Sequence, residues 1–270
     1  MNNNFNKLLN VYKKDGLKSI FIKIYRYFKG RNLHDISRFK FVNIKNIKED
    51  IEEKYNFNGD LVNIFSNNKN NIVHKWHHYL PVYDRYLNNY RNKTVRILEI
   101  GVSKGGSLQM WREYFGKDAI IFGIDINPEC KIFNNATAQV RIGSQGDSQF
   151  LLSVIKEMGG VDIIIDDGSH TMDHISKSLK ILFPVLNFSG LYIIEDLHAA
   201  YWEAFGGGYK SSNNFYNTIR AIIDDMHHWY HGQKIRLKEI GNNCSSIHIY
   251  DSIVVLEKNI NFMPVHSEVK

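Results

Sequence analysis

From Thr94 onward the chain alternates two textures, short apolar runs and stretches whose apolar residues recur at helical spacing. Strands are expected at "TVRILEIGV", "AIIFGIDI", "AQVRIGSQ", "VDIIIDD" and "GLYIIED". Helices are expected between them at "SLQMWREYF", "SQFLLSVIKEMG" and "MDHISKSLKILFPVL". This alternation predicts an α/β fold, a doubly wound, Rossmann-like and mostly parallel sheet with helices on both faces. Past a loop holding Gly206, Gly207 and Gly208, a helix should run from about Phe215 to Tyr230. "KIRLKEIG" and "SIHIYDSIVVLEK" then read as two closing strands that pair antiparallel.

The part before Thr94 has another character. Residues 1–60 read as a basic helical extension, with "YKKDGLKSIFIKIYRYFKGR" placing lysines and arginines among apolar residues at helical spacing. Residues 61–93 form a His- and Tyr-rich lid or substrate-side segment. Within it "FSNNKNNIVHKWHHYLPVYDRYL" begins as a polar loop and becomes a helix through Tyr79, Val82, Tyr83, Tyr86 and Leu87. Residues 94–270 make up the main domain.

Composition narrows the function classes. A hydrophobic share of 43% and a charged share of 23% are those of an ordinary globular protein. Two cysteines, Cys130 and Cys244, make no disulfide framework or metal-ligand spacing, which points to a reducing compartment. The first residues lack the unbroken apolar core of a signal peptide, and no later run reaches membrane-spanning length. The expectation is a cytoplasmic protein without stable membrane insertion. The net charge of +6 admits an anionic ligand, but no recognised nucleic-acid motif accompanies it. The basic helix could pack on the domain or on another subunit, which leaves room for a homo-oligomer.

Ligands of doubly wound sheets sit outside the carboxyl ends of the strands, and here those ends are rich in chemistry. The first carries Glu99, Gly101, Gly105 and Gly106; the second Asp125; the fourth Asp166, Asp167 and His170; the fifth Glu195, Asp196 and His198. "LEIGVSKGGS" is not the G-x-G-x-x-G of nicotinamide-cofactor enzymes, and Ser103 stands in place of a glycine. Gly101 allows a tight turn and close backbone approach. Asp125 sits where a carboxylate can accept from both hydroxyls of a ribose, the other reading being a plain cap. A positively charged cofactor bearing adenosine suits this acidic rim, and a pyrophosphate does not.

Together "VRILEIGVSKGGSLQMWREYFGKDAIIFGIDINP", "VDIIIDDGSH" and "GLYIIEDLHAAYW" resemble the class I S-adenosylmethionine-dependent methyltransferases. More narrowly, they resemble the metal-dependent sugar O-methyltransferases of macrolide-antibiotic tailoring. The resemblance covers roughly residues 94 to 258 and, weakly, "NKNNIVHKWHHY". It implies S-adenosyl-L-methionine as methyl donor, with Glu99 and Gly101 around its methionine part and Ser107 among the cofactor-binding residues. Asp125 would hold the ribose, Ser144 and Gln145 would lie beside the adenine, and Asp166 would face the amino group.

In a sheet of that class the fourth and fifth strands are neighbours, so Asp167, Glu195 and Asp196 converge. Clustered carboxylates repel unless a proton or a cation lies between them. Hard oxygen ligands suit Mg²⁺, or Mn²⁺ as a substitute. Glu195 can share an ion with Asp196 only if the strand has already ended, because consecutive strand residues face opposite ways. His170 is the expected general base, with His198 as rival base or supporting group.

The expected reaction is O-methylation of a sugar hydroxyl. A chain rich in Asn and Lys fits antibiotic tailoring poorly; a nucleotide-activated sugar or surface-polysaccharide precursor fits better, its phosphates meeting the lysines. The alternatives are methylation of a small phenolic diol and a non-catalytic protein that keeps the fold. "EAFGGGYKSSNNF" has the glycine content of a loop that could close over the acceptor. "NKNNIVHKWHHYLPVY", with His74, Trp76, His77, Tyr79 and Tyr83, could form the other lip.

Overall fold

Ile and Val fill the short apolar runs, and in the computed structural model, which describes residues 39–42 and 44–270, those runs are strands. They are β1 (Arg96–Ile100), β2 (Ile120–Asp125), β3 (Gln139–Ile142), β4 (Ile163–Asp166) and β5 (Leu191–Ile194). β-Branched side chains are stiff and pack well on a pleated surface buried on both faces. With β6 (Cys244–Ile249) and β7 (Val254–Lys258), the described residues form a seven-stranded sheet of order β3-β2-β1-β4-β5-β7-β6. The first five strands run parallel; β7 is antiparallel to β5 and to β6. The expected fold class is the one that forms.

Helices cover both faces. On one side lie α1 (Ile47–Tyr55), α2 (Asp60–Ser66), α3 (Tyr79–Leu87) and α4 (Gly106–Phe115), whose Ile51, Leu61, Tyr83 and Trp111 join one buried cluster. On the other side α5 (Ser148–Met158), α6 (Met172–Leu182) and α7 (Tyr216–Met226) bury Leu151, Leu179 and Ile222 in a second. Local signals set the helix ends. Asp147 caps α5 by accepting from Gln149 N and Phe150 N, and Gly159, at φ 75, closes it.

Of the expected extension over residues 1–60, Ile47–Tyr55 is helical, and residues 1–38 lie outside the described residues. Among the described residues no helix is long and apolar enough to cross a membrane.

The C-terminal reading needs two corrections. "KIRLKEIG" is not a strand: it bends and ends in a helical turn, Lys238–Gly241. The buried Asp225 carboxylate accepts from Arg236 N at 2.9 Å and Leu237 N at 2.7 Å, taking backbone donors a ladder would need. "SIHIYDSIVVLEK" is two strands, β6 and β7, because the chain turns over Tyr250–Ser252. Tyr250 N donates to Ile253 O, and Ser252 takes φ 65. The antiparallel pair therefore lies inside the second segment.

Candidate active site

The strand order reverses between β1 and β4, and a cavity of about 140 Å³ opens at that edge. Ile100, Gly101, Asp125, Ile126, Ser144 and Gln145 are among its lining residues. Gly101 is required there: its φ is 98, and a Cβ would stand 2.1 Å from the Asp167 carbonyl oxygen. Ser103 takes the left-handed backbone that glycine adopts most easily, at φ 51. Asp125 stabilises that turn. Its Oδ2 accepts from Val102 N at 3.0 Å and Ser103 N at 2.9 Å, and its Oδ1 accepts from Asn127 N at 2.8 Å. The cap and the cavity-lining position thus belong to one carboxylate.

Two other acids at this edge turn inward. Glu99 is fully buried and accepts from Ser107 Oγ at 2.8 Å and Trp111 Nε1 at 3.0 Å, both on α4. Burial lifts its carboxyl to about 7 in spite of the charge on Lys75. Asp166 is buried as well and accepts from Gln145 Nε2 (3.1 Å), Ser178 Oγ (2.5 Å) and Tyr192 OH (3.0 Å). Burial raises its pKa also. Asp166 does not line the cavity; it is the buried anchor to which Gln145 is tied. Gln145 in turn accepts from Ser169 N at 2.7 Å and so connects the ends of β3 and β4.

One residue further, the carboxylates point the other way, toward α3. Lys75 Nζ stands 2.6 Å from Asp167 Oδ2 and 2.7 Å from Glu195 Oε2. Asp196 Oδ1 accepts from Trp76 Nε1 and from Tyr79 OH, each at 3.0 Å. Strand β5 ends at Ile194 and Asp196 has φ 55, so Glu195 and Asp196 both reach the segment 75–79. Burial alone favours the neutral form of Lys75, but Asp167 and Glu195 outweigh it and hold the ammonium charged, its pKa well above the ordinary value.

Each carboxylate has one oxygen tied by this segment. Asp167 Oδ1 and Asp196 Oδ2 each lie 3.9 Å from His170 Nε2, and Glu195 Oε1 is buried with no hydrogen-bond partner among the described residues. Ligand atoms of Asp167, His170 and Asp196 lie within 4.8 Å of one another. The oxygens that this segment leaves free on Asp167 and Asp196, whose side chains are 23% and 21% exposed, suit a hard divalent cation.

His198 sits beside this cluster. Its Nδ1 is 2.6 Å from Ser252 Oγ, and its ring meets Trp76 edge-on at 5.6 Å and Trp202 at 4.7 Å. Burial lowers its pKa, which favours a neutral ring. Ser252 belongs to the β6–β7 turn, and its carbonyl accepts from Tyr79 OH and from Leu197 N. Of the expected aromatic lip, Tyr79 and Tyr83 are buried, whereas Trp76 borders Asp196 and His198. The glycine-rich loop is pinned at its base: Asn214 Nδ2 donates to Ala200 O and Gly208 O.

The fold therefore brings Gly101, Asp125, Ser144 and Gln145 to the cavity and Asp167, His170 and Asp196 to one point. Glu195 lies on Lys75, Glu99 and Ser107 bond each other, and Asp166 lies beneath. Sequence reasoning missed Lys75, and it missed Ile126, Ser169 and His174 on the cavity wall. Ile126 stands just past the end of β2, and only the structure makes it conspicuous, as an apolar residue 71% exposed. Lys75 carried none, because its partners are 92 and 120 residues away.

No family model matches the chain. It is 34% identical over 205 residues to the demethylmacrocin O-methyltransferase of Streptomyces fradiae, covering 70% of this chain and 51% of that one. It is 32% identical over 215 residues to 8-demethyl-8-(2-methoxy-alpha-L-rhamnosyl)-tetracenomycin-C 3'-O-methyltransferase of Streptomyces olivaceus, covering 75% and 55%. Among solved structures it resembles MycE, a methyltransferase of the mycinamycin biosynthetic pathway in complex with Mg, SAH and mycinamycin VI. That match has a TM-score of 0.66 and 32% identity, and covers 75% of this chain and 53% of MycE. The chain spans about half the length of the curated relatives it matches.

Proposed function

We propose that this chain, a member of the class I methyltransferases by fold, is an S-adenosyl-L-methionine-dependent and divalent-cation-dependent O-methyltransferase acting on a sugar hydroxyl. The observation that carries the reading is the meeting of Asp167, His170 and Asp196 beside the cavity bounded by Gly101 and Asp125. MycE was solved with Mg and SAH, and the tetracenomycin relative is named for a rhamnosyl acceptor.

In this reading Asp125 holds the ribose, Ser144, Gln145 and Ile126 flank the adenine, and the Gly101 turn admits the methionine part. Asp167 and Asp196 hold the cation, with Glu195 as third carboxylate through its unpartnered Oε1. A bound Mg²⁺ or Mn²⁺ would supply Lewis acidity toward the acceptor hydroxyl. His170 Nε2 then takes the hydroxyl proton. His198, held by Ser252, supports Trp76 and Trp202 as walls of the acceptor site and helps keep water out. The rest of the task is alignment, since a sulfonium is already a good leaving group.

The finer choice of acceptor is a nucleotide-activated sugar, supported by the net charge of +6, which favours an acceptor bearing phosphates. The test is methyl transfer from labelled S-adenosyl-L-methionine to matched panels of nucleotide sugars, free sugars, glycosylated macrolides and catechols, with and without chelator. Transfer to nucleotide sugars that chelation abolishes supports the reading. Transfer to macrolide sugars alone removes the finer choice. Transfer to catechols alone, or to nothing in any panel, defeats the proposal.

A further inference from the structure

Every carboxylate of the acid cluster shares itself in the same way. The segment 75–79 takes Asp167 Oδ2, Glu195 Oε2 and Asp196 Oδ1, and leaves the other oxygen of each away from it. Trp76 and Tyr79 do this with neutral donors. Lys75 alone brings a charge, and it is 5% exposed. Its ammonium bridges the ends of β4 and β5. Without the ammonium, Asp167 and the buried Glu195 would face each other with no positive charge between them, and like charges that close are costly.

Resting on the cation reading above, we propose that Lys75 is a positioning residue, a built-in counter-ion with two consequences. It keeps Asp167 and Glu195 together while no divalent cation is present. Once the cation is bound, its positive charge on the shared carboxylates weakens the hold on that cation and keeps it exchangeable. Lys75 touches neither acceptor nor methyl donor in this account and acts through the acids.

The experiment compares the full chain, Lys75→Met, Lys75→Gln and Lys75→Arg. Thermal unfolding is followed after exhaustive chelation, and Mg²⁺ alone, then Mn²⁺ alone, is titrated by calorimetry. Lys75→Met and Lys75→Gln should unfold at a lower temperature than the parent when metal-free. They should also bind Mg²⁺ on the order of tenfold or more tightly, since a cation next to the site has been removed. Added Mg²⁺ should therefore raise their midpoints by more than it raises the parent's. Lys75→Arg, which keeps the charge, should return both readings toward the parent. A side chain that only fills space would lower the midpoint and leave Mg²⁺ affinity unchanged or weaker, and that result overturns the proposal. So does an unchanged metal-free midpoint. Should Lys75→Met not fold without metal, Lys75→Gln, which retains a donor, carries the same test. A parent chain that takes up neither cation overturns the cation reading and with it the second consequence. The metal-free midpoints still decide the first.

Discussion

His170 and Asp196 approach to 3.9 Å, Nε2 to Oδ2, and both stand in left-handed backbone, at φ 54 and φ 55. Few residues other than glycine take that backbone, although asparagine, aspartate and histidine do so several-fold more often than the rest. Two such residues from different strand ends aim an imidazole and a carboxylate at one point.

His170→Ala should lower single-turnover methyl transfer by about 10²-fold, the lower part of the range for a general base, and leave cofactor affinity almost unchanged. The rising limb of the pH–rate profile should vanish with it. His198→Ala should cost less and keep the limb, because its Nδ1 is committed to Ser252. Loss of the limb in His198→Ala with retention in His170→Ala would reverse the two roles.

Activity should disappear on exhaustive chelation and return with Mg²⁺ or Mn²⁺. Asp167→Asn and Asp196→Asn should each abolish the return at ordinary metal concentrations. Full turnover by a preparation shown to be metal-free would count against every role assigned to these acids.

Asp125→Ala removes a carboxylate that both lines the cavity and caps Val102 and Ser103. S-adenosyl-L-methionine affinity should fall by tenfold or more, as hydrogen bonds to charged groups contribute about 1.5–3 kcal/mol. Calorimetric titration checks it, and unchanged affinity sinks the ribose assignment.

Glu99 gives the fold a pH signature. Burial lifts its carboxyl to about 7 from 4.5. Between those values the folded chain keeps a proton that the unfolded chain has lost. Stability therefore falls as pH rises through the window and levels off above it, by about 3 kcal/mol in all. Glu99→Gln should flatten this part of the melting-temperature profile; a variant with the parent's slope would show that another group is responsible.

Gly101→Ala should damage both halves of the site. The new Cβ would collide with the Asp167 carbonyl at φ 98, so either the turn or Asp167 must move. Cofactor and Mg²⁺ affinity should fall together in parallel titrations, whereas loss of only one would separate the halves.

The five parallel strands, the helices on their faces and the strand ends where the chemistry collects were legible in the chain's pattern. Those follow from periodicity, a local property: apolar runs such as Ile163–Ile165 must be buried wherever the chain goes. Local pattern failed where a distant group claimed the backbone, as Asp225 claims Arg236 and Leu237. Tertiary structure alone decided which acid does what. Asp166 and Asp167 are neighbours, yet one is buried among Gln145, Ser178 and Tyr192 and the other rests on Lys75. Tertiary structure also decided that β5 stops in time for Glu195 and Asp196 to reach one segment. The physical reason is that hydrophobic burial is proportional to area and indifferent to partner, while an ion pair exists only between particular atoms a few ångströms apart. Residues 75 and 195 meet through the whole path of the chain, and no spacing along it records that they do.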